Sequence, residues 1–410
     1  MTTTHADRAS ADRPNADPNA WRSQTPGTDS WPRTARAGDP NKYFMVSTDS
    51  HAQEPHDLWE TRIEPQYRDR IPRQIVDEDG VKWQVAEGFR PVKVRDLQLE
   101  GEDQVRTDSG YKIEERIRDL DQDGIDVELI FPNRGLAMYA TPDPVLAQAQ
   151  ARVWNDWAAE TFFDYPERMV PVAAISPGDM EGALTEIERV KDMGFRCLTL
   201  PNRPVWGPGD GSESNYNLKE YEPLWDAIQD ADLPVSIHIS TGKDPRGARG
   251  RGGAVINYAV HALGQSLEPV VNICASGVLE KYPKLRFSTI EAGIGWIAWA
   301  CTAMDEAYFK HHMFAFPKME HLPSEHFKRS FFASFGEDPP GLALGRQFGL
   351  MQTYMWANDY PHAEGTWPHS AAAIERTMGD LSDEERTQVL GLNAARFLGL
   401  EVGADNRIVL

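Results

Sequence analysis

Met169-Val170-Pro171-Val172-Ala173-Ala174-Ile175 is a short apolar run with β-branched residues at three positions, the pattern of a buried strand. Beyond it Leu184, Ile187 and Val190 recur at the spacing of one helical face, and Gly194 ends that pattern. Phe195-Arg196-Cys197-Leu198-Thr199-Leu200 then reads as a second strand. Residues 169–200 are one strand–helix–strand unit, and a right-handed crossover of this kind makes its two strands parallel.

The same alternation runs outward in both directions. Upstream, Tyr43-Phe44-Met45-Val46 opens a strand near 43–48. Ile113, Ile117 and Leu120 share a helical face that stops at Gly124, a strand follows at 125–131, and a long helix runs from about Pro144 to Phe163. Downstream, Leu224, Trp225 and Ile228 precede a strand at 234–239, and a helix from about Tyr258 to Glu280 precedes one at 285–290. A helix from about Gly295 leads to a strand at 331–335, and one more leads to the strand at 353–357. Ser382 and Glu385 form a capping-box pattern opening a last helix through Leu398. Eight strands result, and all but the first are followed directly by a helix. The fold class is α/β, a (β/α)8 barrel. A doubly wound sheet would show a Gly-rich phosphate turn after an early strand, and none is present.

After the first strand, polar residues from about 54 to 110 form an insertion with hairpin-like pieces such as Val81-Lys82-Trp83-Gln84-Val85. Residues 1–42 are a polar N-terminal arm whose large apolar side chains are Trp21 and Trp31; it wraps the domain or a partner subunit, or stays unstructured. The barrel spans 43–400, and 401–410 is a tail.

With 42 Lys and Arg against 63 Asp and Glu, the formal charge is −21, which argues against nucleic acid or a membrane surface as partner. A 40% apolar content supplies a sizeable core. The longest apolar stretch, Ile294 to Met304, falls well short of the roughly 20 residues that cross a bilayer. The N-terminus carries no secretory apolar region, and Cys197, Cys274 and Cys301 lie too far apart for a disulfide framework or a metal knuckle. A cytoplasmic protein is expected.

Reactive residues of a barrel sit at the C-terminal ends of its strands. Those ends carry Asp49-Ser50-His51, Ser236-Ile237-His238, Glu291-Ala292-Gly293 and Asn358-Asp359-Tyr360-Pro361-His362. Asp49 and His51, two apart, point to one face of a strand. Two imidazoles and two carboxylates meeting from strands 1, 5 and 8 suit a divalent cation such as Zn²⁺. Singly, each of these histidines reads as an ordinary hydrogen-bonded strand-end residue; together at one mouth they do not.

These motifs resemble the amidohydrolase superfamily, in the branch containing aminocarboxymuconate semialdehyde decarboxylase and γ-resorcylate decarboxylase. The carriers are Asp49-Ser50-His51-Ala52-Gln53-Glu54-Pro55, Ser236-Ile237-His238, Gly277-Val278-Leu279-Glu280-Lys281-Tyr282-Pro283-Lys284-Leu285, Asn358-Asp359-Tyr360-Pro361-His362 and Asn393-Ala394-Ala395-Arg396-Phe397. The resemblance implies a metal held by Asp49, His51, His238 and Asp359, and catalytic roles for Asp359, Glu291 and His362. Asp49 stands where many members have His, and Glu291 where decarboxylases of the branch usually have His. Strand 4 ends Leu198-Thr199-Leu200, without the Lys that bridges two metals in some members, so one metal ion is expected: Zn²⁺ first, with Mn²⁺ as the alternative for a carboxylate-rich shell.

The implied reaction is non-oxidative decarboxylation of a small aromatic or unsaturated acid, with metal-dependent hydrolysis as the alternative and a non-catalytic barrel as a third reading. Glu291 is an acid/base, a ligand or the cap of the helix after it, and Glu54 is a ligand or a support for His51. Arg134 and Arg203 reach a substrate carboxylate or make loop ion pairs. Thr241 to Gly253, with Arg246, reads as a basic lid drawing in an anionic substrate. Trp356 stacks on the substrate or packs the core. A homodimer is expected.

Overall fold

A computed structural model of the chain describes residues 17–88, 91–94, 98–204, 206, 215–242, 250–403 and 408–409. Its central strands are β1 (Val46–His51), β2 (Val127–Phe131), β3 (Met169–Pro171 with Ala173–Ala174), β4 (Leu198–Pro201), β5 (Val235–His238), β6 (Phe287–Ile290), β7 (Phe331–Phe335) and β8 (Tyr354–Trp356). All pair in parallel with their neighbours in chain order. The halves of β3 meet at Val172, whose N–H donates to Ile130 O at 3.0 Å, so the sheet continues through it.

The ends of the sheet also meet. Ser50 bridges Tyr360 in parallel, His51 N–H donates to Tyr360 O at 2.7 Å, and Asp359 N–H donates to Asp49 O at 3.0 Å. The sheet is a closed cylinder, which excludes the doubly wound alternative. The closing bonds lie in the very segments that carry the strand-end acids and imidazoles.

Two apolar layers follow from strand alternation. Val127, Leu129 and Phe131, with Val170, Val172, Ile290, Phe332 and Met355, fill the cylinder, and Ala394, Phe397, Leu398 and Ile408 join this cluster. Ile130, Leu198, Leu200, Val235, Ile237, Phe287, Ala333, Tyr354 and Trp356 face outward against the helices. Gly194 ends the helix Met180–Met193 at φ 103°, a backbone state that favours glycine. The Ser382–Glu385 capping box forms as the pattern predicts.

The insertion folds as an antiparallel sheet of Arg73–Val76, Lys82–Val85 and Val92–Lys93, followed by the helix Gly101–Asp108. Its Arg70 pairs with Glu87 at 2.8 Å and with Asp143 at 2.9 Å, and Asp143 caps the helix Pro144–Phe162. The three cysteines are buried and unpaired. Among the described residues no helix is long and apolar enough to cross a membrane.

Candidate metal centre

Phe44 and Val46 pack inside the cylinder, so strict alternation would turn Asp49 and His51 outward. The register of β1 against β2 breaks between Ser47 and Ser50. That irregularity shifts the parity and aims Asp49 and His51 inward, a recognised use of strand bulges beside reactive sites. Ser50 then faces the other way, accepting from Arg116 Nη2 at 3.0 Å. Arg116 is fully buried, donates to His51 O at 2.7 Å and pairs with the equally buried Glu128. In β5, Val235 and Ile237 pack outward, which leaves His238 facing in.

Each imidazole is fixed by its far nitrogen. His51 Nδ1 is 3.0 Å from Pro132 O, and His238 Nδ1 is 2.6 Å from Ile239 O. A carbonyl can only accept, so both rings carry a proton on Nδ1 and turn Nε2 to the cylinder mouth, where it can ligate once the ring is neutral. Asp49 Oδ1 lies 3.5 Å from His51 Nε2 and 3.4 Å from His238 Nε2, and Glu291 Oε2 lies 3.4 Å from His238 Nε2. Asp49, His51, His238 and Glu291 form one such group of potential ligands; His51, Asp359 and His362 form an adjoining one. Asp359 Oδ1 is 3.6 Å from His51 Nε2, and His362 stacks on the His51 ring with centroids 4.0 Å apart.

These separations fit a cation. Ligand atoms about 2.1 Å from a tetrahedral centre stand about 3.4 Å from one another. Asp49 Oδ1 and Asp359 Oδ1 are buried without any hydrogen-bond partner, a cost that a cation removes. The electrostatics agree. Burial and the neighbouring Asp359 charge push Glu291 well above the usual carboxylate range, and burial and Asp49 do the same to Asp359. Burial also acts to raise Asp49, but His238 and His51 hold it below its ordinary value. His51 is lowered to about 3 by burial and by His362, so it is neutral and ready to ligate. His238 is raised, because Asp49 and Glu291 outweigh its burial.

The sequence expectation placed Asp359 as the fourth ligand, whereas the geometry sets Glu291 beside Asp49, His51 and His238. Glu291 does not cap the next helix. That helix, Ile297–Lys310, has no side-chain cap, and the turn leading into it is held by Asp338, which accepts from the N–H groups of Ile294 and Gly295 at 2.7 Å each. Glu291 and Asp359 both hold left-handed backbone, at φ 68° and 54°. Such strain in non-glycine residues is tolerated mainly where a site requires it. Glu54 is no ligand: its buried carboxylate accepts from the backbone N–H groups of Asn133, Arg134 and Gly135, fixing the loop after β2.

The cation group opens into a cavity of about 410 Å³ whose wall includes Asp49, Glu291 and Asp359, together with Trp21, Tyr258 and Glu364. The last three were not foreseen as site residues; Glu364 follows the strand-8 motif closely, but neither Trp21 nor Tyr258 sits at a strand end. Of the expected substrate residues, Trp356 is fully buried in the outer layer, because its position in β8 turns it away from the mouth. Arg134 lines a separate cavity of about 630 Å³ beside the insertion, with Trp59, Arg68 and Arg73. Arg203 lies 3.9 Å from Glu268. Arg246 falls outside the described residues, as does most of the basic loop around it.

A closed (β/α)8 barrel with an imidazole–carboxylate cation cup at its C-terminal mouth is the class that fold and site define. The sequence profile of the amidohydrolase family matches residues 48–400, and the chain belongs to that family. The γ-resorcylate decarboxylase of Polaromonas sp. (strain JS666 / ATCC BAA-500) is 30% identical over 185 residues, 44% of this chain and 55% of that protein. The chain thus spans about half the length of the curated relatives it matches. An amidohydrolase from Mycobacterium avium subsp. paratuberculosis K-10 superposes with a TM-score of 0.70 at 19% identity, covering 88% of this chain and 99% of that one. The dihydroxybenzoic acid decarboxylase of Polaromonas sp. JS666, with bound manganese and 2-nitroresorcinol, gives 0.60 at 18% identity, covering 88% and 98%.

Proposed function

We propose that this protein is a metal-dependent decarboxylase of small hydroxylated aromatic acids. The observation that carries the reading is Asp359: a carboxyl whose proton affinity burial and Asp49 raise, with Oδ1 3.6 Å from His51 Nε2 beside a cup that suits a cation. A divalent cation held by His51, His238, Asp49 and Glu291 supplies a Lewis acid for a substrate oxygen. The two imidazoles suit Zn²⁺, while the carboxylates favour the harder Mn²⁺, the metal in the Polaromonas structure.

The protein's own groups then do the rest. Tyr258 and Trp21 flank an aromatic ring in the cavity. Asp359 gives its proton to the ring carbon that bears the carboxylate. The carbon–carbon bond breaks, its electron pair restores the ring, and carbon dioxide leaves. Asp359 remains as a carboxylate, takes a proton from solvent and is ready again. His362, with Nδ1 3.1 Å from Asp359 Oδ1, is placed to steady the charge.

Glu291 inside the cup favours hydrolysis as the second reading, since a further base beside the cation would activate water. Turnover of 2,6-dihydroxybenzoate by the manganese-loaded protein in D₂O separates them. Carbon dioxide with one ring deuterium in resorcinol supports decarboxylation. Oxygen-18 from labelled water in the organic product, or no turnover across a panel of hydroxybenzoates, overturns it.

A further inference from the structure

We propose that the N-terminal arm is a fixed wall of the metal cavity, in which Trp21 contacts the substrate and sets which substrates enter. The aromatic nature of that substrate rests on the function proposed above; the wall itself does not.

The arm precedes residue 48, where the match to the family profile begins. Nothing in its composition predicts a site: it is polar and rich in Pro, Asp and Arg. Yet Trp21 stands in the wall of the same cavity as Asp49, Glu291 and Asp359. The guanidinium of Arg22 lies 5.1 Å and that of Arg376 5.4 Å from the centroid of its ring, and cations over an indole face fix its plane.

The strap around Trp21 is anchored to the barrel, not draped over it. Asn19 Nδ2 donates to Asp103 Oδ1 of the insertion at 2.9 Å. Arg22 donates to Gly365 O at 2.6 Å and to Ala363 O at 2.7 Å. Arg376 donates to Gln24 O at 2.7 Å, and Arg36 to Glu375 Oε1 at 2.8 Å. The carbonyls that Arg22 grips belong to the loop immediately after Asp359 and His362, and Arg106 of the insertion donates to Ala363 O from its own side at 2.8 Å. Arg22 is therefore a positioning residue for the loop that carries Glu364, and Trp21 a specificity-determining one.

The chemistry of the wall points to a flat ring. The cavity floor is acidic and needs its cation, while Arg376, paired with Glu337 of the same wall at 3.1 Å, lies with Arg22 against the indole. Trp21 and Tyr258 offer aromatic surface on which a planar ring stacks. A bulky or non-planar substrate would meet the indole edge.

The test uses the full chain loaded with Mn²⁺ and the variants Trp21→Ala and Trp21→Phe. The first readout is the rate at which EDTA, a bulky non-planar chelator that would meet the indole edge, strips the metal. Trp21→Ala should be stripped about 5-fold faster or more, and Trp21→Phe within about 2-fold of the parent, because Phe keeps an aromatic wall. Manganese affinity and melting temperature should be unchanged in both. The second readout is turnover of 2,6-dihydroxybenzoate, where Trp21→Ala should raise KM about 10-fold and leave kcat within about 2-fold. Stripping of Trp21→Ala at the parental rate overturns the proposal, as does a loss of manganese affinity, which would place Trp21 in support of the metal rather than of the substrate. If the parent protein ignores 2,6-dihydroxybenzoate, the decarboxylase reading fails and the stripping rates alone decide the wall.

Discussion

His51 Nε2 and His238 Nε2 face each other across 3.3 Å, and a carbonyl holds the Nδ1 proton of each ring. When both rings are neutral, two lone pairs at that distance repel unless a positive charge lies beside them. Removing one ring should therefore remove the site. His238→Ala is expected to bind Mn²⁺ or Zn²⁺ more weakly by well over the roughly 10–100-fold typical of losing an outer-shell partner. Titration calorimetry measures this directly, and parental affinity in the variant would refute the cup.

Asp359 sits differently. It borders His51 in a group adjoining the four-residue cluster and carries the proton in the proposed reaction. Asp359→Asn should keep much of the metal and lose turnover, whereas His238→Ala loses both. Metal content after dialysis, measured beside kcat, separates the two roles. An Asp359→Asn protein that turns over normally would remove Asp359 from the chemistry.

The buried acids make metal binding depend on pH, with a defined sign. Glu291, Asp359 and His238 all have folded-state affinities for protons above their ordinary values, so the metal-free protein binds more protons than the unfolded chain. Its stability must then fall as pH rises through their folded values. His51, lowered to about 3, has the opposite slope, but only below its ordinary value of 6.5. As pH rises above 6.5 the melting temperature of the metal-free protein should decline while that of the loaded protein holds, and loading should release protons. A constant gap between the two forms across that window would contradict the assignment.

The barrel was legible because strand and helix periods differ and each unit repeats them; the eight strands lie where the apolar runs do. Asp49, His51 and His238 stood out as strand-end candidates as well, since strand ends converge in any closed barrel. Which second acid joins them was not legible. That choice depends on left-handed backbone at Glu291 and Asp359 and on Asp338 holding the turn after Glu291, none of which a strand pattern carries. Nearness to the mouth does not settle which way a side chain faces at either end of the sheet. Trp356 lies near the mouth in sequence but faces the helices, while Asp49 and His51 face inward only because the register of β1 breaks. Trp21 was invisible to any reading by strand ends, because its contribution comes from a strap whose anchors are hundreds of residues away in the chain.

The last expectation concerns what keeps β1 in its irregular path. Arg116 lies on the outer side of β1, fully buried, with its guanidinium shared among Glu128, the Ser50 hydroxyl and the His51 carbonyl, and 5.0 Å from the Tyr360 ring centroid. Asp119, one turn further along the same helix, accepts from Tyr360 Oη at 2.8 Å. One helix face thus holds the segments that bear His51 and Asp359. Arg116→Met would leave Glu128 as a buried charge without a partner, at a cost of about 3–5 kcal/mol. Replacing both, as Arg116→Met with Glu128→Leu, removes the charge penalty but not the lost grip on His51 O. The single variant should therefore lose stability in urea and the double variant should regain much of it. Metal affinity should stay low in both, because the His51 carbonyl lacks its donor in each. Recovery of metal affinity together with stability in the double variant would show that Arg116 merely neutralises Glu128 and does not position His51.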